Sequence, residues 1–123
     1  MPNAGEARDL TAAATTLEAL RALGELCRLV VVKDGANGSY ALRGGEVIHA
    51  PGLGVTVVDT TGAGDCFSAG FVRAWLDERP LVECLRWGNV CGALSTQARG
   101  GATAAPTLGE AQAWVKKYDG PGL

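Results

Sequence analysis

The stretch DTTGAGDCFSAGF, residues 59–71, runs a polar, glycine-studded turn straight into an apolar helical segment, with Gly62-Ala63-Gly64-Asp65 at the junction. The first turn of a helix presents unpaired N–H groups and the positive end of the helix dipole. Glycines let backbone approach an anion with no Cβ in the way, so the junction suits a phosphate. Asp65 adds a carboxylate at the same place and reads in two ways. It is a favourable acid in a helix's first turn, worth ~0.3–1 kcal/mol, within a plain strand–turn–helix connection. Or it is a base beside an attacking hydroxyl, with the N–H groups facing a moving phosphoryl. The pattern alone leaves both open. Two common phosphate motifs do not fit: Walker A needs Gly-Lys-Ser/Thr, and in G-x-G-x-x-G the third glycine position holds Phe67.

Outward from this motif, VTVVD (55–59) reads as the strand that feeds the turn, and LVVV (29–32) as a strand buried on both faces, as in a parallel sheet. SYALR (39–43) and EVIH (46–49) flank Gly44-Gly45, a hairpin signal. Glu6 to about Leu23 has helical spacing, with Gly24 as its stop and Thr15-Thr16 as a break and new N-cap. A helix over 64–78 is expected to expose the stripe Cys66, Gly70, Arg73 and Asp77. A second helix, Leu81 to Ala98, is expected to wet Glu83, Arg86, Val90 and Gln97. ARGGATAAP (98–106) reads as a loop. Thr107 then caps a last helix ending near Tyr118, with Glu110 in the capping-box position. Strands flanked by helices predict an α/β layered sheet, thin for so much apolar helix surface.

Composition narrows the function classes. Over 123 residues, 47% hydrophobic and 20% charged content fits a globular domain with a core. A net charge of -2 invites neither nucleic acid nor an acidic membrane. No apolar run approaches the ~20 residues of a membrane span, and the opening MPNAGEARDL lacks the basic and apolar regions of a secretory leader. Cys27, Cys66, Cys84 and Cys91 form no C-x-x-C pair and His49 is the single histidine, which argues against zinc. The four thiols read as buried and free in a reducing cytoplasm. His49 reads as a surface residue, and Trp75, Trp87 and Trp114 as core aromatics.

VVDTTGAGDCFSAGF (57–71) closely resembles the C-terminal signature of the ribokinase-like (PfkB) sugar kinases. Other segments agree in order. MPNAGEARDLT (1–11) is similar to the family's N-x-x-E segment, with Asn3 and Glu6 in the matching positions. VVVKDGANGSYAL (30–42) resembles its nucleotide-side strand and glycine turn. RWGNVCGALSTQARGGATAAPTLGEAQAW (86–114) resembles its closing helix, loop and final helix. The resemblance covers almost the whole chain and implies the C-terminal part of a three-layer αβα fold, a sheet flanked by helices.

It also implies roles. Asp65 matches the catalytic base, and the N–H groups of Gly62, Ala63 and Gly64 match the anion hole for the γ-phosphoryl of ATP. Asn3 and Glu6 match residues that organise Mg²⁺ and phosphate, the glutamate through water; apart from the resemblance, Glu6 is simply an acid in a helix's first turn. Lys33, Gly35 and Gly38 match the ATP-facing edge, with a solvated strand-end lysine as the plain reading of Lys33. Asn89 matches a position beside the adenine pocket. Gly88, Gly92 and Ser95 form a small-residue stripe suited to a flat base or to a closely packed helix. Asp59 and Thr61 match a monovalent-cation (K⁺) site completed from the 96–101 loop.

The resemblance reaches only the family's C-terminal half. The acceptor-sugar pocket, the first glycine-rich signature, most of the central sheet and the lid sheet belong to the N-terminal half. Residues 1–123 are therefore expected to hold the ATP-binding and catalytic portion, with the acceptor unspecified. Alone, the chain is expected to be oligomeric or partner-dependent, because LVVV would present an open edge. The competing expectation is an inactive fragment or a non-catalytic nucleotide-binding module.

Overall fold

A computed structural model of the chain describes residues 1–97, 99 and 105–118. Helix α1 (Ala4–Thr11) starts where Asn3 and Glu6 cap each other's backbone N–H groups, and ends at Ala12, whose φ of 55° is left-handed. Helix α2 (Thr16–Gly24) starts at Thr15, whose side chain accepts from the Glu18 N–H. The single helical period over 6–23 is thus two helices, broken at the Thr15-Thr16 signal.

Strand β1 (Leu29–Lys33) is followed by a short 3-10 turn, Gly35–Asn37, then β2 (Ser39–Arg43) and β3 (Glu46–Ala50). Gly44 and Gly45, with φ of 59° and 81°, make the two-residue turn between β2 and β3 that needs positive φ at both positions. The sheet has the order β1-β2-β3, and both pairings are antiparallel. Parallel pairing of β1, expected from its uniform apolarity, is limited to one bridge, Asn3 to Lys33. Burial on both faces, the cause of that apolarity, does hold. Val31, Ala41, Leu29 and Ile48 join the core under α3 (Ala63–Leu76), α4 (Leu81–Ser95) and α5 (Leu108–Tyr118). Val30, Val32, Leu42, Tyr40 and Val47 join a second core with Ala4, Ala7, Ala19 and Leu20 of α1 and α2. The result is an α/β fold with helices on both faces of a three-stranded sheet.

Five expectations need correction. VTVVD is not a strand: residues 51–58 carry no ladder, and the N–H groups of Val58 and Asp59 both go to the Thr96 carbonyl, at 2.6 and 3.0 Å. A strand needs a neighbour, and among the described residues none flanks this segment. On α3 the expected wet stripe fails at Gly70, which is buried because a Cβ there would stand 2.6 Å from the Trp87 carbonyl oxygen. The exposed residues include Val72, Trp75 (42% exposed) and Leu76, so Trp75 is not a core aromatic, whereas Trp87 is buried and Trp114 packs against the core. Val90 is fully buried rather than wet, because α4 lies between α3, the sheet and α5. Cys27 is exposed, unlike Cys84, while Cys66 and Cys91 are half-buried; all four are free. The Thr107–Glu110 capping box forms with both bonds at 3.2 Å. Of the expected loop 98–106, residues 98 and 100–104 lie outside the described residues.

Candidate phosphate and nucleotide site

A cavity of ≈ 470 Å³ opens between the end of β1, the first turn of α3, the middle of α4 and the segment after β3. Its floor and mouth are built by close backbone approach. Gly38, with φ of 93°, passes so near the chain after β3 that a Cβ would overlap the Ala50 carbonyl and lie 2.7 Å from the Gly52 N–H nitrogen. Gly52 in turn crosses the Ala36 carbonyl.

At one end of the cavity Lys33 meets the start of α3. A Cβ placed on Gly64 would stand 2.8 Å from Lys33 Nζ, so the ammonium occupies the space that the glycine leaves. Gly62 is the N-cap in a left-handed conformation, φ 75°, and no side chain caps the helix. Ala63 N–H donates to the Thr60 carbonyl at 3.1 Å and Cys66 N–H to the Gly62 carbonyl at 3.0 Å. The N–H groups of Gly64 and Asp65 have no acceptor among the described residues. A positive charge, uncapped donors and the dipole end of a 14-residue helix therefore share one place.

Eight of the expected site residues line this cavity: Asn3, Lys33, Gly35, Gly38, Ala63, Gly64, Asn89 and Gly92. Asp65 is exposed one residue past Gly64 and does not line it. Gly62, Glu6, Asp59 and Thr61 also stand outside the lining. Asn3 reaches the cavity because its backbone pairs with Lys33, whose N–H donates to the Pro2 carbonyl at 3.0 Å. Glu6 is bound into the cap, one carboxylate oxygen accepting the Asn3 N–H at 2.9 Å. Asp59 Oδ1 accepts the Thr61 N–H at 2.9 Å, closing a tight turn. Of the 96–101 loop expected to complete the cation site, residues 98, 100 and 101 lie outside the described residues.

The small-residue stripe on α4 divides. A Cβ on Gly88 would meet the Phe67 ring at 2.7 Å, which is helix packing, and Ser95 Oγ donates back to the Gly92 carbonyl at 2.7 Å. Gly92 serves both purposes, lining the cavity while lying close to the Ala63 carbonyl. His49 is exposed, stacks on Tyr40, and its Nε2 lies 2.8 Å from the Asn37 carbonyl oxygen, bracing the glycine turn. Among the described residues no group of three or more His, Cys, Asp or Glu side chains is placed to hold a metal ion. Burial, and then the neighbouring Cys66, push the Cys91 thiol up to about 11; burial also raises Cys84.

Sequence reasoning missed Thr60, Ala93, Thr96, Leu53 and Val55, all of which line the cavity. None belongs to a residue type that announces a site. Their contribution is backbone and surface, visible only once α4 and the chain after β3 face each other.

The sequence model of the pfkB family carbohydrate kinases matches residues 1–108. An ATP-dependent ribose-1-phosphate kinase of Halopiger xanaduensis is 42% identical over 91 residues, 73% of this chain and 30% of its own. A ribokinase from Thermotoga maritima superposes with a TM-score of 0.86 at 30% identity, covering 94% of this chain and 41% of that one. An E. coli ribokinase II in complex with ATP and Mg²⁺ superposes at 0.85 and 30% identity, over 95% of this chain and 38% of that one. The chain thus spans well under half the length of these relatives.

Proposed function

The chain belongs to the pfkB family of carbohydrate kinases, and from that membership we propose that residues 1–123 are the ATP-binding and catalytic portion of a phosphotransferase. It moves the γ-phosphoryl of ATP to a sugar or sugar-like hydroxyl. The observation that carries the reading is the meeting of Lys33 Nζ with Gly64, beside the uncapped N–H groups of Gly64 and Asp65. The base lies in the cavity and the phosphates at its α3 end, where preorganised donors favour charge as it spreads over the transferring group.

Asp65 takes the proton of the acceptor hydroxyl as its oxygen bonds to phosphorus and the bond to ADP breaks. Its exposure beside the cavity supports this role, since a base must reach the acceptor and not the nucleotide. Mg²⁺ supplies charge neutralisation on the phosphates. It retains most of its water, so few protein ligands are needed. Glu6 still has lone pairs outside its cap bond, and with Asn3 it suits water-mediated contact with the ion. Asp59 and Thr61 are the residues assigned to a K⁺ ion. The compartment is the reducing cytoplasm, which suits four free thiols.

The acceptor pocket and further sheet are assigned to a portion equivalent to the remainder of the relatives, outside residues 1–123, whether joined to them or separate. Two features support this. Lys33 N–H points away from β2 to Pro2, and the alternation of the ladder turns the Val31 N–H to the same open edge. Beside it α3 exposes Val72, Trp75 and Leu76. The second reading is a nucleotide-binding module without transfer.

Calorimetric titration with MgATP tests the nucleotide assignment. Wild-type chain is expected to bind, and Lys33→Ala to weaken binding by roughly tenfold or more, the scale of a charge-assisted contact. Equal binding by both would remove Lys33 and the α3 terminus from the site. Sugar-dependent ADP release on adding the complementary polypeptide separates the enzyme from the module.

A further inference from the structure

The cavity wall made by Gly52, Leu53, Val55 and Val57 has no ladder of its own, yet it faces α4 across the whole site. Both of its ends are held by α4. At the far end the Thr96 carbonyl accepts the Val58 and Asp59 N–H groups. At the near end stands Asn89, 7% exposed. Its Nδ2 donates to the Ala50 carbonyl at 3.0 Å and to the Pro51 carbonyl at 3.2 Å, with the Tyr118 hydroxyl oxygen at 3.5 Å. Its Oδ1 accepts from Ser39 Oγ at 2.8 Å, and Ser39 is fully buried on β2. The seven rises from Asn89 to Thr96, the C-cap of α4, span ~10 Å of helix axis, so the segment is strung along α4 like a strap between two posts.

We propose that Asn89 is a positioning residue for the nucleotide cavity: its carboxamide pins Ala50 and Pro51 so that the 52–57 strap is held across Gly38 at the width a planar base needs. This rests on the reading of the cavity as a nucleotide site. The resemblance sets Asn89 beside adenine. Here both of its donor hydrogens are committed to the Ala50 and Pro51 carbonyls, so it acts on the ligand through the strap. Ser39 orients the carboxamide by occupying the oxygen, which fixes which end faces the strap.

Asn89→Asp keeps the acceptor for Ser39 and removes both donors to the strap. Ser39→Ala does the converse. The measurement is amide hydrogen exchange at Val58 and Asp59, the N–H groups that tie the strap to Thr96, in the ligand-free chain, with α3 as internal control, followed by MgATP titration. Asn89→Asp is expected to raise exchange at Val58 and Asp59 by about tenfold and to weaken MgATP by a similar factor, the loss of about one net hydrogen bond, while α3 stays protected. Ser39→Ala keeps both strap donors but leaves the buried Oδ1 without its donor, and is expected to change both in the same direction by less than Asn89→Asp does. Should the buried carboxylate prevent folding, Asn89→Ser carries the same two readouts without a charge. Weakened MgATP with unchanged exchange at Val58 and Asp59 would mean that Asn89 meets the ligand directly, and would overturn the proposal. So would a uniform rise in exchange over the whole chain. The exchange arm stands even if wild type binds no MgATP, in which case the nucleotide reading fails and the strap assignment is still decided.

Discussion

Gly64→Ala separates stability from binding. The residue lies in the first turn of α3 and does not have positive φ, so alanine fits the backbone. Its Cβ would come 2.8 Å from Lys33 Nζ, the mobile end of a long side chain, which can swing away. Alanine is favoured over glycine in a helix by at most ~0.5–1 kcal/mol, less near an end. The melting temperature should therefore hold or rise slightly. Binding should move the other way. The methyl group displaces the ammonium and intrudes where phosphate oxygens approach the Gly64 and Asp65 N–H groups, removing one or more charge-assisted hydrogen bonds of ~1.5–3 kcal/mol each. That is about a 10- to 150-fold loss of MgATP affinity. The assays are a thermal melt and calorimetric titration on the same preparations. Gly62→Ala is the contrast: φ is 75° there, so a Cβ costs ~1–2 kcal/mol of backbone strain, roughly 4–8 °C in melting temperature. If Gly64→Ala bound MgATP within about twofold of wild type, the reasoning about the α3 terminus would be wrong.

In the assembled kinase, Asp65→Asn should lower kcat by about 10²–10⁴-fold, the range of general base catalysis, and leave ATP affinity nearly unchanged; near-normal turnover would remove Asp65 as the base. Gly70→Ala should destabilise by ~1–3 kcal/mol through overpacking, because its Cβ meets the Trp87 carbonyl oxygen at 2.6 Å; a melt unchanged from wild type contradicts the tight α3–α4 crossing. Thiol labelling at pH 8 should modify exposed Cys27 first, and buried Cys84 only after unfolding. The Cys91 thiol, raised from 9.0 to about 11 by burial and then by Cys66, favours the folded chain fully below pH 9. That contribution is lost as pH rises from 9 to 11, because only the unfolded chain releases the proton there; Cys91→Ala should flatten the fall in stability over that window.

What could be read in advance depended on whether the signal was local. Gly44-Gly45, Thr15 and the Thr107–Glu110 pair each act within a few residues, and each formed as the sequence indicated. The anion-friendly start of α3 was local too, and its uncapped donors are where the glycines placed them. VTVVD failed because a strand is a property of two segments, and β propensity names only one. Gly70 and Val90 failed because wheel positions do not say which neighbour passes closest, and the Trp87 carbonyl decides Gly70. Lys33 is 31 residues from Gly64 in sequence and Ser39 is 50 from Asn89. No local pattern announces either meeting, although one completes the proposed phosphate site and the other anchors the cavity wall.

The central claim concerns the amides at the start of α3, and they can be watched directly. In ¹H–¹⁵N spectra of the ¹⁵N-labelled chain titrated with MgATP, the Gly64 and Asp65 N–H resonances should show the largest saturable downfield shifts, with the midpoint moved to roughly tenfold higher MgATP or beyond when Lys33 is replaced by alanine. Saturable binding that leaves those two resonances in place and shifts others instead would contradict the account.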